Sequence, residues 1–188
     1  MSKVGDLFRA DMEHYFAGSD FSRRGLFRLI RAWMDPDYRV VLYWRISSLL
    51  VRRNHKLLGI LLYWRLKSRY TVDISPWADI GGGLRLMHAF DVVIGPGARI
   101  GAWCRIFNGV TLGKSRPDSA LMEMPSVGDF CILGTGAKLL GKSKIEDGLI
   151  IGANAVVRNR IVRAADGRPD DIPTARVDVA YIESFRAR

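Results

Sequence analysis

Histidine and cysteine are scarce in this 188-residue chain, with three of the first and two of the second. His14, His55 and His88 are too scattered to suggest a metal cluster, and no Cys/His spacing resembles a zinc motif. With only two cysteines and no signal peptide, a reducing cytosol is expected. Neither cysteine and no serine sits in a recognisable nucleophile motif, which argues against a covalent intermediate. Long apolar runs are also missing from the basic amino-terminal part. Its longest, "LLGILLYW", is far short of a membrane span. The net charge of +10 comes without any nucleic-acid motif, so no nucleic-acid partner is expected.

What the chain does have is a six-residue beat of aliphatic residues. Ile74, Ile80 and Leu86 begin it, and Ile94, Ile100, Ile106 and Leu112 continue it. Val127, Leu133, Leu139, Ile145, Ile151 and Val157 complete it. Glycine follows seven of these thirteen residues. A hexapeptide period with an inward aliphatic guide and a turn-permissive neighbour marks a parallel β-helix. Removing two extra residues before Ile94 and nine before Val127 leaves twelve steps, which is four coils at three steps per coil. Four positions after each guide the residue is often small, as at Ala78, Ala98, Cys104, Cys131, Ala137 and Ala155, which suits a narrow interior. Cys104 and Cys131 then occupy one column a coil apart, a spacing that would permit a disulfide, but in a reducing cytosol they are expected as buried small fillers.

Charge is unevenly placed. Residues 1–70 carry fourteen Lys/Arg against six Asp/Glu, and the remaining 118 residues a balance of only +2. The basic residues alternate with aromatic and aliphatic ones in "FSRRGLFRLIRAWM", and "LYWRI" recurs as "LYWRL". Helices are expected at about 21–34, 38–52 and 55–69, broken by Asp35-Pro36 and Asn54. Such helices can cap the first coil, or lie on an anionic membrane surface. The expected organisation is a basic amphipathic helical segment over 1–70, the β-helix over 71–160, and a carboxy-terminal loop with a short tail helix over 161–188.

His14 and His55 read as ordinary surface residues in polar, helical surroundings. His88 stands apart, because it lies in "LMHAFDVVIG", where the repeat is broken by two extra residues. Regular coils are structural, and interruptions are where sites form. Counting steps sets Asn108 and then Thr135 above His88 on successive coils. A neutral imidazole there can take a proton from an attacking hydroxyl, or can simply satisfy a corner hydrogen bond.

"DISPWADIGGGLRLMHAFDVVIGPGARIG", "VTLG", "PSVGDFCILGTGAKLLG" and "IGANAVV" together resemble the serine-acetyltransferase branch of the hexapeptide acyltransferases. That resemblance implies a left-handed parallel β-helix, a homotrimer, and acetyl-CoA as acyl donor without a metal. The repeat count makes the β-helix about four coils behind a short α-helical segment, where the branch has a much longer helical domain. The resemblance implies His88 as general base, and the step count and nearness in sequence add Asn108 and Asp91 as further catalytic candidates. Gly136, Ala137 and Ala153 are candidates to face the pantetheine, with Thr111, Lys138 and Arg158 also in the donor site. Lys138, Lys142 or Arg158 would meet the phosphates. Asp91, Asp118 and Glu123 are candidates to orient His88.

The chain also departs from that branch. Met87 stands where the branch has an aspartate before its histidine, and Glu123-Met124-Pro125 stands in place of an Arg-His-Pro element. Free serine is therefore not the expected acceptor. The loop exit Pro125-Ser126-Val127-Gly128-Asp129 is similar to that of acetyltransferases for capsule, exopolysaccharide or lipopolysaccharide. The expected function is O-acetylation of a sugar hydroxyl, free or lipid-linked, in the cytoplasm or peripherally on the inner face of the cell membrane. The alternatives are a serine or other small-molecule acetyltransferase and a non-catalytic β-helix scaffold.

Overall fold

The computed structural model describes residues 4–17, 25–116, 118, 123–163 and 174–177. Four helices come first: α1 (Val4–Tyr15), α2 (Gly25–Met34), α3 (Pro36–Arg52) and α4 (Lys56–Tyr70). The last three match the expected helices within a few residues, and α1 supplies the helical surroundings expected at His14. Asp35 caps α3, accepting hydrogen bonds from the N–H groups of Asp37 and Tyr38, with Pro36 in the first turn where its missing N–H costs nothing.

Beyond Tyr70 the chain winds into a parallel solenoid. The first coil consists of β1 (Asp73–Ile74), β2 (Asp79–Ile80) and β3 (Arg85–Met87), and the second of β4 (Val93–Ile94), β5 (Arg99–Ile100) and β6 (Arg105–Phe107). The third has β7 (Thr111–Gly113), β8 (Ser126–Val127) and β9 (Ile132–Leu133). The fourth has β10 (Lys138–Leu140), β11 (Lys144–Ile145) and β12 (Leu149–Ile151). A partial fifth coil adds β13 (Val156–Arg158) and β14 (Ile161–Val162). The strands stack into three five-stranded faces. This is the mainly β solenoid of about four coils behind amino-terminal helices that the sequence predicts.

All thirteen guide residues are buried, and so is the small-residue column from Ala78 to Ala155. Cys104 and Cys131 are free, buried thiols in that column, as expected. Corner N–H groups that leave the strand ladder are met by side chains. Asp129 accepts from the Ala102 N–H at 2.7 Å and Asp147 from the Asp129 N–H at 2.8 Å.

The ends of the stack are closed differently. At the start, α3 lies on the first coil: Trp44 Nε1 donates to the Ser75 carbonyl at 2.9 Å and Ser48 Oγ to that of Pro76 at 2.9 Å. α4 packs closely on α3 at Gly59, where an added Cβ would lie 2.6 Å from Val51 Cγ2. At the far end β15 (Thr174–Arg176) pairs antiparallel with β12, on the edge where a fifth coil would place its third strand. The region expected to be loop and tail helix thus contributes β14 and β15. The tail helix expected beyond 177 lies outside the described residues.

α1 is held by two buried polar groups. Asp11 and Arg45 are 1% and 5% exposed and meet at 2.8 Å. Asp11 also accepts from the Leu84 N–H at 2.8 Å, and Arg45 donates to the carbonyls of Ile80 at 2.7 Å and of Gly81. His14 corrects the sequence reading, since it is fully buried rather than on the surface. Its Nδ1 lies 2.5 Å from the Gly83 carbonyl and its Nε2 3.4 Å from Arg105 Nε. One neutral tautomer serves both contacts, donating from Nδ1 and accepting at Nε2. Burial, opposed by the Gly83 bond and aided by the Arg105 and Arg85 charges, lowers the His14 pKa from 6.5 to about 4.

Two stability predictions follow from these groups. Arg45→Ala leaves the buried Asp11 carboxylate without its counter-charge, and about 3–5 kcal/mol of unfolding free energy should be lost in urea titrations. Because His14 binds its proton more weakly folded than unfolded, its contribution is complete above pH 6.5 and declines as pH falls toward 4. That shift amounts to about 2 kcal/mol lost on going from about pH 7.5 to about pH 5. His14→Gln, which can still donate and accept, should flatten that slope.

Candidate active site

The interruption before Ile94 is a two-residue extrusion, and the ladder identifies its members. Before it, Met87 pairs with Phe107. After it, the Phe90 carbonyl accepts from the Gly109 N–H at 3.2 Å, and Val93 pairs with Thr111. Phe90 therefore occupies the regular corner position beneath Asn108, and the two residues outside the ladder are His88 and Ala89. This refines the sequence count, which put His88 itself beneath Asn108. The backbone at His88 takes a positive φ of 59° and the Phe90 N–H returns to the His88 carbonyl at 2.7 Å, a tight reversal that leaves His88 exposed.

Leaving the ladder deprives both residues of their usual N–H acceptors, and Asp37 replaces them. Its Oδ2 accepts from the His88 N–H at 3.0 Å and its Oδ1 from the Ala89 N–H at 2.8 Å. One carboxylate in the first turn of α3 thus clamps the whole extrusion, each bond strengthened by its charge. Sequence reasoning missed Asp37. The Asp35-Pro36-Asp37 helix start was visible, but the contact spans 51 residues and has no local signature.

The other candidates spread along the same corner and the face beyond it. Asn108 follows Phe90, and Thr135 follows Asn108, with Thr135 Oγ1 3.3 Å from Asn108 Oδ1. Gly136 donates its N–H to the Asn108 carbonyl at 2.9 Å, and the Asn154 N–H reaches the Thr135 carbonyl at 2.8 Å beside exposed Ala153. A larger residue at Gly136 would be strained by its φ of +73°, and its Cβ would lie 2.2 Å from Asn154 Oδ1, forcing that side chain to move. Ala137 is different: its methyl is buried in the core column and cannot face a ligand. Asp91 is exposed and donates its N–H to the Thr71 carbonyl at 3.0 Å.

The cations expected to greet phosphates are engaged within the chain. Lys138 Nζ donates to the Gly109 carbonyl at 2.5 Å and to Thr111 Oγ1 at 3.1 Å. Arg158 donates to the Ser115 carbonyl at 3.1 Å, and Lys142 pairs with Glu123 at 3.0 Å. These last two contacts fasten the beginning and end of the second interruption to the fourth and fifth coils. Met124 of that loop packs over Gly95, where an added Cβ would lie 2.5 Å from its Cε. Among the described residues, no group of three or more His, Cys, Asp or Glu could hold a metal ion.

No protein-family model matches the chain. Two sequence relatives are serine acetyltransferases. That of Buchnera aphidicola is 36% identical over 145 residues, covering 77% of this chain and 50% of its own length. That of Helicobacter pylori is 34% identical over 122 residues, covering 65% of this chain and 71% of its own length. The chain thus spans about half of the first relative and nearly three quarters of the second. Solved structures agree. The Neisseria gonorrhoeae serine acetyltransferase in complex with serine superposes with a TM-score of 0.70 at 27% identity, over 86% of this chain and 67% of that one. A serine acetyltransferase in complex with CoA gives 0.70 at 26% identity, over 85% and 64%.

Asp37→Ala should release the extrusion while leaving the solenoid folded. Charge-assisted bonds of this kind are worth about 1.5–3 kcal/mol each, so amide hydrogen exchange at His88 and Ala89 should accelerate about 10- to 100-fold. Exchange at the guide residues should stay unchanged.

Proposed function

Since the chain belongs to the serine acetyltransferase family, we propose that it transfers acetyl from acetyl-CoA to a hydroxyl, with His88 as general base and L-serine as the first acceptor to consider. The observation that carries the reading is the clamped extrusion: an exposed imidazole on a strained backbone, outside the ladder, fixed by a carboxylate from another element. In the reaction the His88 imidazole takes the hydroxyl proton as the oxygen attacks the thioester carbonyl. The C–S bond then breaks, and the imidazolium returns the proton to the departing CoA sulfur. Asp37 acts here as a positioning residue, and Asp91 and Asn108 remain candidates around the base. The donor would run along the corner past Thr135, Gly136 and Ala153 toward Thr111, in the groove between neighbouring copies of a homotrimer. Lys138 and Arg158 would meet its phosphates only by exchanging their present partners, and Ala137 would contribute backbone alone.

Serine is favoured as acceptor because relatives and superposed structures carry that activity in their names, one of them with serine bound. None of them speaks for a polysaccharide acceptor, so the glycan expectation becomes the second reading. One feature favours it: the half-buried side chains at positions 87 and 124 are both methionine, which offers no charge to grip an amino acid's ammonium or carboxylate.

The test is release of free CoA from acetyl-CoA with L-serine and with a panel of bacterial glycans. His88→Ala should lower kcat on the true acceptor by about 10²- to 10⁴-fold. Asp37→Ala should lower kcat by up to about 10²-fold through misplacement of the base, with KM for acetyl-CoA little changed. Turnover on glycans with none on serine would transfer the assignment to the second reading. Release that survives in His88→Ala would remove the base from the proposal.

A further inference from the structure

The two faces of α4 differ sharply. Gly59 and Leu66, one helical repeat of seven residues apart, are buried against the rest of the molecule. At about 100° per residue, Leu57, Leu61 and Trp64 lie on the opposite side. They are 71%, 49% and 60% exposed, with Leu58 beside them at 57%. A contiguous stripe of large apolar side chains on a helix already packed along its other face marks an interaction surface.

Charge indicates what the surface meets. Between Asp37 and Asp73 the sequence contains eight Lys/Arg and no Asp/Glu. Arg65 and Arg69 fall on one shoulder of the stripe and Lys56 at the edge of the other, all exposed, with exposed Arg53 just before the helix. We propose that the outward face of α4 docks on an anionic lipid bilayer, its leucines and Trp64 entering the interface while the flanking cations meet the headgroups. Among the described residues no helix is long and apolar enough to cross a membrane, so the contact is one of lying on the surface. Two-fold pairing of this face with that of a second copy fits less well. Two-fold pairing would set the same cationic shoulders against each other, and like charges across an interface oppose association.

The proposal is independent of the acetyl-transfer reading, and its test measures binding alone. The full chain is floated with phosphatidylcholine vesicles with and without phosphatidylglycerol, and Trp fluorescence is followed in parallel. Binding should be on the order of 10-fold or more stronger to the vesicles containing phosphatidylglycerol, and should weaken in high salt. The triple variant Leu57→Ser, Leu61→Ser, Trp64→Ser should lose at least about 10-fold of that binding at an unchanged thermal midpoint, since all three side chains are exposed. Lys56→Glu with Arg65→Glu should abolish the preference for phosphatidylglycerol. Equal binding by the triple variant, or no binding by the wild type, overturns the proposal. Absence of vesicle binding together with self-association in analytical ultracentrifugation that the triple variant loses would assign the face to a second copy.

Discussion

A coil made of three strands only two or three residues long cannot bury its own interior, and the molecule is arranged around that constraint. The inward columns stay dry only where another coil lies above and below. Both ends of the stack therefore need covers. At the far end β15 runs antiparallel along the last complete coil, borrowing a neighbour's edge without continuing the winding. At the start, α3 closes the first coil through Trp44 and Ser48, and the Asp11–Arg45 pair fastens α1 over the same end.

That cover also fixes the candidate site. The first coil is where two residues leave the ladder, and the first turn of α3 supplies the carboxylate that receives their N–H groups. Extrusion frees the His88 side chain from the regular face but would leave two backbone donors without acceptors. Asp37 resolves both consequences at once, holding the imidazole's backbone without touching the column beneath. Sealing the core and holding the candidate site are thus two effects of one helix, the first made by its later turns and the second by its first turn.

The solenoid was legible in the sequence because its period is set by local packing, and every guide residue from Ile74 to Val157 is buried as counted. The interruption was legible as two surplus residues, but not which two, since only the ladder separates His88 and Ala89 from Phe90. Long-range polar partners were not legible at all. Asp37 reaches across 51 positions, and His14, in a polar helix, looks solvated until Gly83 and Arg105 arrive beside it. The same limit explains Lys138, Lys142 and Arg158. A cation on a solenoid reads as free for an anion, and sequence cannot announce that a carbonyl or carboxylate of the same chain already holds it.

Those three engaged cations show how charge is divided over the molecule. Residues 71–188 carry a balance of only +2, and there Lys142 and Arg158 hold the long loop against the coils while Lys138 braces the Gly109 carbonyl. In the proposed function, a donor along that surface would meet the backbone of Gly136 and Ala153 and exposed groups such as His88 and Phe90, with Lys138 and Arg158 joining only by leaving these partners. The excess of positive charge sits instead on the helices, where much of it borders apolar side chains. Long-range electrostatic attraction and the geometry of the corner are therefore carried by different parts of the chain. Substitutions of cations on α4 can alter what the molecule approaches without disturbing the clamp that Asp37 makes from α3.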